Sequence, residues 1–135
     1  MKCALCGKPV TRRTRPHVER VGRYKVRDAT AGVLQCTGSD CGNVVMPAEE
    51  LARCRRRAAA LVLRRTSTVQ GAVIKYARST LGMSQTQLAD QLECRRETVT
   101  RWETGALRIL QAERLAIVAL LEGVDQTEAP ELIDG

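Results

Sequence analysis

The apolar positions of this chain change their period at Pro47. Up to about residue 46 they come in short stretches broken by Gly and Pro, with alternation in Tyr24-Lys25-Val26 and in Gly32-Val33-Leu34-Gln35-Cys36. Period two between breakers predicts a few short strands joined by turns, and no helix-period stripe runs through this part. In Met46-Pro47-Ala48-Glu49-Glu50-Leu51 a proline falls in a first helical turn with two acids behind it, where free N–H groups and the helix dipole favour negative charge. A helix is predicted over residues 47–65. Leu51, Cys54, Ala58 and Leu61 form its apolar stripe, and Arg53, Arg55, Arg56, Arg57, Arg64 and Arg65 fill much of the rest. Thr66-Ser67-Thr68 reads as a joint. Beyond it, helices are predicted at about residues 69–81, 85–92, 96–104 and 111–122, with a last turn near residues 130–133. The acidic tail after Gly123 is expected to fray.

Charge changes the picture more than length does. Residues 1–65 carry 15 Lys and Arg against 5 Asp and Glu, and residues 66–135 carry 7 against 10, so the net +7 is a +10 half beside a −3 half. A basic half of this kind favours a polyanion. With no amphipathic Trp/Phe/Leu face to enter lipid, nucleic acid fits better than a membrane, and a merely solvated arginine surface is the alternative.

Six cysteines stand at positions 3, 6, 36, 41, 54 and 94. Cys3-Ala4-Leu5-Cys6-Gly7 is a CxxCG turn, in which the chain doubles back under two thiolates and Gly lets backbone N–H groups approach the sulfurs. Cys36-Thr37-Gly38-Ser39-Asp40-Cys41-Gly42 offers a second Cys pair, four residues apart and again followed by Gly. Together Cys3, Cys6, Cys36 and Cys41 make a closed tetrahedral set with no position left for water or substrate, which is the pattern of one structural Zn2+. Unliganded thiols and disulfides are the alternatives. The Gly-flanked pairing weighs against the first, and the Met-Lys-Cys start without an apolar leader, which points to a reducing cytoplasm, weighs against the second. His17 reads as a surface side chain away from either knuckle, and Cys54 and Cys94 as small buried hydrophobes.

The segment from Met83 to Leu92 opens with a capping box, Ser84 facing Gln87, and turns Leu88, Ala89 and Leu92 inward. After the short turn Glu93-Cys94-Arg95, the helix from Arg96 to Thr104 points Val99 and Trp102 to the core, leaves Arg96, Glu97, Thr100 and Arg101 outward, and ends at Gly105. The pattern Ser-Gln-x-x-Leu-Ala…Val-x-Arg-Trp-Glu-x-Gly resembles the Cro/CI-type repressors over about residues 70–122. The resemblance implies that Gln85 meets a phosphate or base edge and that the second helix enters the major groove. Arg101 is then the candidate for a bidentate guanine contact, and Thr100, Arg96 and Arg95 for phosphates. Glu93 stands where that family often has Gly, and Arg95 where a Ser or Thr usually caps the helix. Glu97 either accepts from cytosine N4, orients an arginine, or simply complements the helix dipole.

The whole order, an MKCxxCG knuckle, a second Cys pair near residue 40, a helix after Met46 and a Cro/CI-type domain, resembles the MqsA antitoxins with their YgiT-type zinc finger. That resemblance implies a structural zinc, a homodimer formed through the C-terminal domain, repression of the chain's own operon at a palindromic operator in double-stranded DNA, and capture of a toxin protein by the N-terminal half. The alternative is a stand-alone regulator of a phage or mobile element whose basic zinc half adds DNA or protein contacts. The expected fold is two small modules: a zinc-ribbon-like α+β module with short strands (residues 1–46), a basic linking helix and joint (47–68), and an all-α helix-turn-helix domain (69–135). An enzyme is not expected, since one His and a closed metal set provide neither an acid–base pair nor an open coordination position. A thiol redox sensor would need exposed, activated Cys, of which the sequence gives no sign.

Overall fold

In the computed structural model, which describes residues 1–123 and 130–134, five strands precede five helices and a sixth strand follows them. The strands form two antiparallel sheets of three. β1 (Val10–Thr14), β4 (Gly32–Cys36) and β5 (Val44–Val45) make the first, in the order β1-β4-β5, with Val10 opposite Cys36 and Thr14 opposite Gly32. β2 (His17–Val21), β3 (Tyr24–Asp28) and β6 (Glu131–Asp134) make the second, in the order β2-β3-β6.

The β2–β3 register leaves only Gly22 and Arg23 in the turn, and Gly22 takes the left-handed φ of +59° that such a turn needs. A Cβ at Gly22 would lie 3.0 Å from Gln70 Oε1 and 3.1 Å from Val73 Cγ2, so the hairpin tip presses on the start of α2 (Gly71–Thr80). The alternation at Tyr24 and Val26 is real: both are buried, with Val21 of β2, in one cluster that includes α1 (Ala48–Arg65), α2 and the remaining helices. That cluster draws no residue from β1, β4 or β5.

The predicted helix over residues 47–65 forms as α1, but it is buried on more than one stripe. Residues 57–63 are buried without a break, because the β2–β3 hairpin, α2 and α5 (Gln111–Glu122) all pack on it, and Ala58, Ala59 and Ala60 let them come close. Val62 and Leu63 are fully buried, each worth about 1.5–3 kcal/mol relative to exposure. α1 therefore links the two halves in sequence and is also their shared core.

Its arginines are correspondingly less free than the sequence implies. Arg57 is 8% exposed and its Nε donates to Asp28 Oδ2 at 2.8 Å. Arg53 pairs with Glu50 at 2.8 Å, Arg55 lies 3.6 Å from Glu19, and Arg64 pairs with Glu122. Arg57 thus departs from the expectation that the arginines fill the helix outside its buried stripe. Its acidic partner lies 29 residues away and is brought to it only by the fold.

The helices after the joint fall close to their predicted spans: α2, α3 (Gln85–Gln91), α4 (Arg96–Thr104) and α5. The last turn expected near residues 130–133 is instead a strand, with Leu132 opposite Val26 and Glu131 opposite Arg27. The open edge of β3 supplies ladder partners that a four-residue segment cannot find in a helix of its own. The expected fraying after Gly123 does not hold for residues 131–134, which pair with β3, and for residues 124–129 it lies outside the described residues. The expected fold class holds, with short strands at the N-terminal half and a helix-turn-helix domain after α1. No helix among the described residues is long and apolar enough to cross a membrane.

Candidate metal centre and nucleic-acid interface

Two tight turns carry the four cysteines. In the first, Gly7 N–H donates to Cys3 O at 2.9 Å, Cys3 N–H donates to Lys8 O at 2.8 Å, and Gly7 has φ +75°. In the second, Cys41 N–H donates to Gly38 O at 3.3 Å, Cys36 N–H donates to Asn43 O at 2.9 Å, and Gly42 has φ +63°. The β1–β4 ladder brings the turns together, because Cys36 closes β4 opposite Val10. The four Sγ atoms then lie within 4.8 Å of one another, with Cys6 to Cys36 at 3.4 Å and Cys3 to Cys41 at 3.7 Å. A tetrahedron with metal–sulfur bonds of about 2.3 Å has edges of about 3.8 Å, so the set can hold a metal ion and its chemistry suits zinc.

The surroundings fit anionic sulfurs. Gly38 N–H points at Cys36 Sγ at 3.3 Å and Asn43 Nδ2 at Cys3 Sγ at 3.6 Å. A side chain at Gly38 would meet Lys8 Cδ at 3.0 Å and Cys36 Sγ at 3.4 Å, so glycine lets the backbone approach the sulfur without displacing Lys8. Backbone N–H groups of Cys6 and Leu5 pull the Cys3 thiol down to about 6. At Cys36 the Gly38 N–H acts in the same direction, but burial and the neighbouring thiols outweigh it and push the group up to about 12. Four thiols this close can all ionise only beside a cation. His17 takes no part: it is half-buried and its Nε2 lies 2.8 Å from Glu19 Oε1. Cys54 is buried on α1, where burial pushes its thiol up to about 11, and Cys94 packs against the core.

The second site is the α3–α4 pair. Ser84 Oγ accepts from Gln87 N–H at 3.1 Å and Gln87 Oε1 accepts from Ser84 N–H at 2.8 Å, which is the capping box read from the sequence. Leu88, Ala89, Val99 and Trp102 are buried between the helices. Glu93 takes φ +56°, the one non-glycine in the left-handed region among the described residues, at the turn position where Gly is the unstrained choice. Arg95 is the N-cap of α4 and makes no side-chain cap, while Gly105 closes the helix at φ +82°.

Arg95, Arg96, Glu97 and Arg101 are exposed, and Arg96, Glu97, Thr100 and Arg101 line one shallow depression on α4. Thr100 Oγ1 donates to Gln85 Oε1 at 3.0 Å, and Gln85 Nε2 donates to Glu103 Oε1 at 3.2 Å. Gln85 thus ties α3 to α4 beside this depression.

Sequence reading missed the clamp behind the site. Arg78 of α2 donates through Nε to Glu103 Oε2 at 2.7 Å, through Nη2 to Glu103 Oε1 at 3.1 Å, and through Nη1 to Met83 O at 3.1 Å. Glu103 therefore fastens α2, α3 and α4 together. Gly71 allows this, since a Cβ there would lie 2.1 Å from Glu103 O. The only local signal was the Glu-x-Gly closing of α4, which does not name its partner.

Two crossing helices, the first capped by Ser84 and the second presenting a polar, exposed face, define a helix-turn-helix unit of the DNA-binding kind. Residues 74–124 match the family model described as Helix-turn-helix, of the XRE type. The chain thus carries the DNA-binding domain of a transcription regulator. No curated protein matches the chain.

Proposed function

We propose that the chain is a sequence-specific repressor that binds double-stranded DNA as a homodimer on a palindromic operator, with α4 in the major groove and one structural Zn2+ held by Cys3, Cys6, Cys36 and Cys41. The observation that carries this reading is the exposed face of α4, where Arg96, Glu97, Thr100 and Arg101 share one depression beside Gln85. Arg101 reads a guanine through O6 and N7, Arg95 and Arg96 hold phosphates, Thr100 does so by exchanging its bond to Gln85 for one to phosphate, and Gln85 meets a phosphate or base edge at the start of α3. Glu97, in the first turn of α4, complements the helix dipole. Selection of a preferred duplex from random sequence, followed by Arg101→Ala, tests it. The substitution is expected to cost about 1–3 kcal/mol on the selected duplex and to relax preference at one base pair. An equal loss on every sequence would make Arg101 a phosphate contact instead.

The antitoxin reading, in which the zinc half captures a toxin protein and the dimer represses its own operon, rests on the resemblance of the whole order of modules. A small neighbouring reading frame whose product co-purifies with the full chain is its test, and a chain that recovers no partner would sink it. The stand-alone regulator is favoured by one observation, the exposed cations of β1 and the first knuckle, which would repel a basic toxin.

A further inference from the structure

The first eighteen residues contain no Asp or Glu, and Lys2, Lys8, Arg12, Arg13 and Arg15 lie among them. All five are exposed. Arg12 and Arg13 are on β1, whose ladder with β4 continues through the Arg15 N–H to Ala31 O bond of 2.8 Å. Lys2 and Lys8 flank the knuckle that pairs with the start of β1 through the Lys2–Pro9 bridge. Among the described residues none of the five forms an ion pair, whereas Arg53, Arg55, Arg57 and Arg64 of α1 all do. The fold has paired four of the six arginines of α1 with carboxylates and left these five cations unpaired. Glu49 and Glu50 line one cleft with Arg12 and Arg13, and Glu50 is already taken by Arg53 and by Gly32 N–H.

What such a face fits follows from what it lacks. The chain has one Trp, two Tyr and no Phe. Trp102 and Tyr24 are buried, and Tyr76 is held by its hydroxyl on Glu19 at 3.0 Å. No ring is therefore presented for stacking on an unpaired base. Nor does the stretch offer the aromatic anchor on which protein interfaces turn, since its large exposed apolar side chains are the aliphatic Met1, Leu5 and Val18. Distributed cations on β1 and the segments beside it, without anchors, suit the phosphates of a duplex, where each contact releases counterions and none needs a pocket.

We propose that β1 and the adjoining knuckle form a second, sequence-independent contact to duplex DNA, made by Lys2, Lys8, Arg12, Arg13 and Arg15 on phosphates. This deepens the DNA-binding reading without depending on the face of α4. The test is the salt dependence of binding to a random-sequence duplex by the zinc-loaded full chain, for the parent and for an R12Q/R13Q/R15Q variant. The slope of log affinity against log salt is expected to fall by up to about 2.7, at roughly 0.9 per phosphate, so that the affinity lost between 50 and 200 mM salt shrinks by roughly 40-fold. An R12K/R13K/R15K variant keeps the charge and should keep the slope, which separates lost contacts from lost folding. The same shift should appear in an Arg101→Ala background, so failure of the α4 reading and failure of this one are told apart. An unchanged slope in the glutamine variant overturns the proposal. So does a variant that loses only its binding to poly-glutamate, which would make the face a site for an acidic protein, or only its binding to single-stranded DNA.

Discussion

Removing a metal held by the four cysteines should dissolve one sheet and spare the other. The β1-β4-β5 sheet has almost no core: among its strands only Val33 and Cys36 are buried, and none of it joins the cluster around α1. Burial of one valine is worth about 1.5–3 kcal/mol. Ordering backbone costs about 1–2 kcal/mol per residue, so that contribution is used up within two or three residues of a twelve-residue ladder and its knuckles. Metal binding to four thiolates, about 10–16 kcal/mol, is the term large enough to hold the rest. The β2–β3 hairpin stands differently, since Val21, Tyr24 and Val26 are buried with α1 and Asp28 is anchored by Arg57. Chelation followed by amide hydrogen exchange is the assay. Protection should vanish from residues 1–14 and 32–45 and persist in 17–28 and in α1 to α5, with the main thermal transition retained. Loss of protection in β2, β3 and the helices together would refute the reasoning, as would a β1–β4 ladder that stays protected without metal.

Two further outcomes test the core and the turn. Asp28→Asn removes the buried partner of Arg57 and should cost about 3–5 kcal/mol in urea unfolding. Burial pushes the Asp28 carboxyl up, but hydrogen bonds from Thr30 and Arg57 outweigh it and hold it below its ordinary 3.8. Its contribution is thus present above that value and lost as pH falls through the lower folded pKa, and a pH series in the parent that is flat across this window would count against the pair. Glu93→Gly relieves the left-handed strain at φ +56° and should raise stability by about 1 kcal/mol at an unchanged denaturant slope. A fall in stability would mean that the glutamate side chain contributes more than the strain costs.

How much of this was readable beforehand depends on whether the cause was local. The Ser84–Gln87 box and Gly105 satisfy helix-end groups within a few residues of themselves, so α3 and α4 were legible with their caps. The cysteine turns were legible because coordination geometry dictates spacing. β1 was not, since Val10-Thr11-Arg12-Arg13-Thr14 buries nothing on either face and leaves no alternation to see. Arg57 and Arg78 were misjudged or missed because their carboxylates, Asp28 and Glu103, lie 29 and 25 residues away. The exposed residues of α4 could be named from helical spacing, whereas the bond from Thr100 to Gln85 needed the helix crossing itself.

The pairing of β6 with β3 also sets an order of events during synthesis. β3 ends at Asp28 and β6 begins at Glu131, with α1 to α5 between them. At roughly 5–20 residues per second, the hairpin leaves the ribosome some 5–20 s before its third strand exists. For that interval the outer edge of β3 is an unpaired row of N–H and C=O groups, the kind of edge that recruits foreign strands. A nascent chain stalled within α5 would carry that edge, and β6, made after α5, is the strand that closes it.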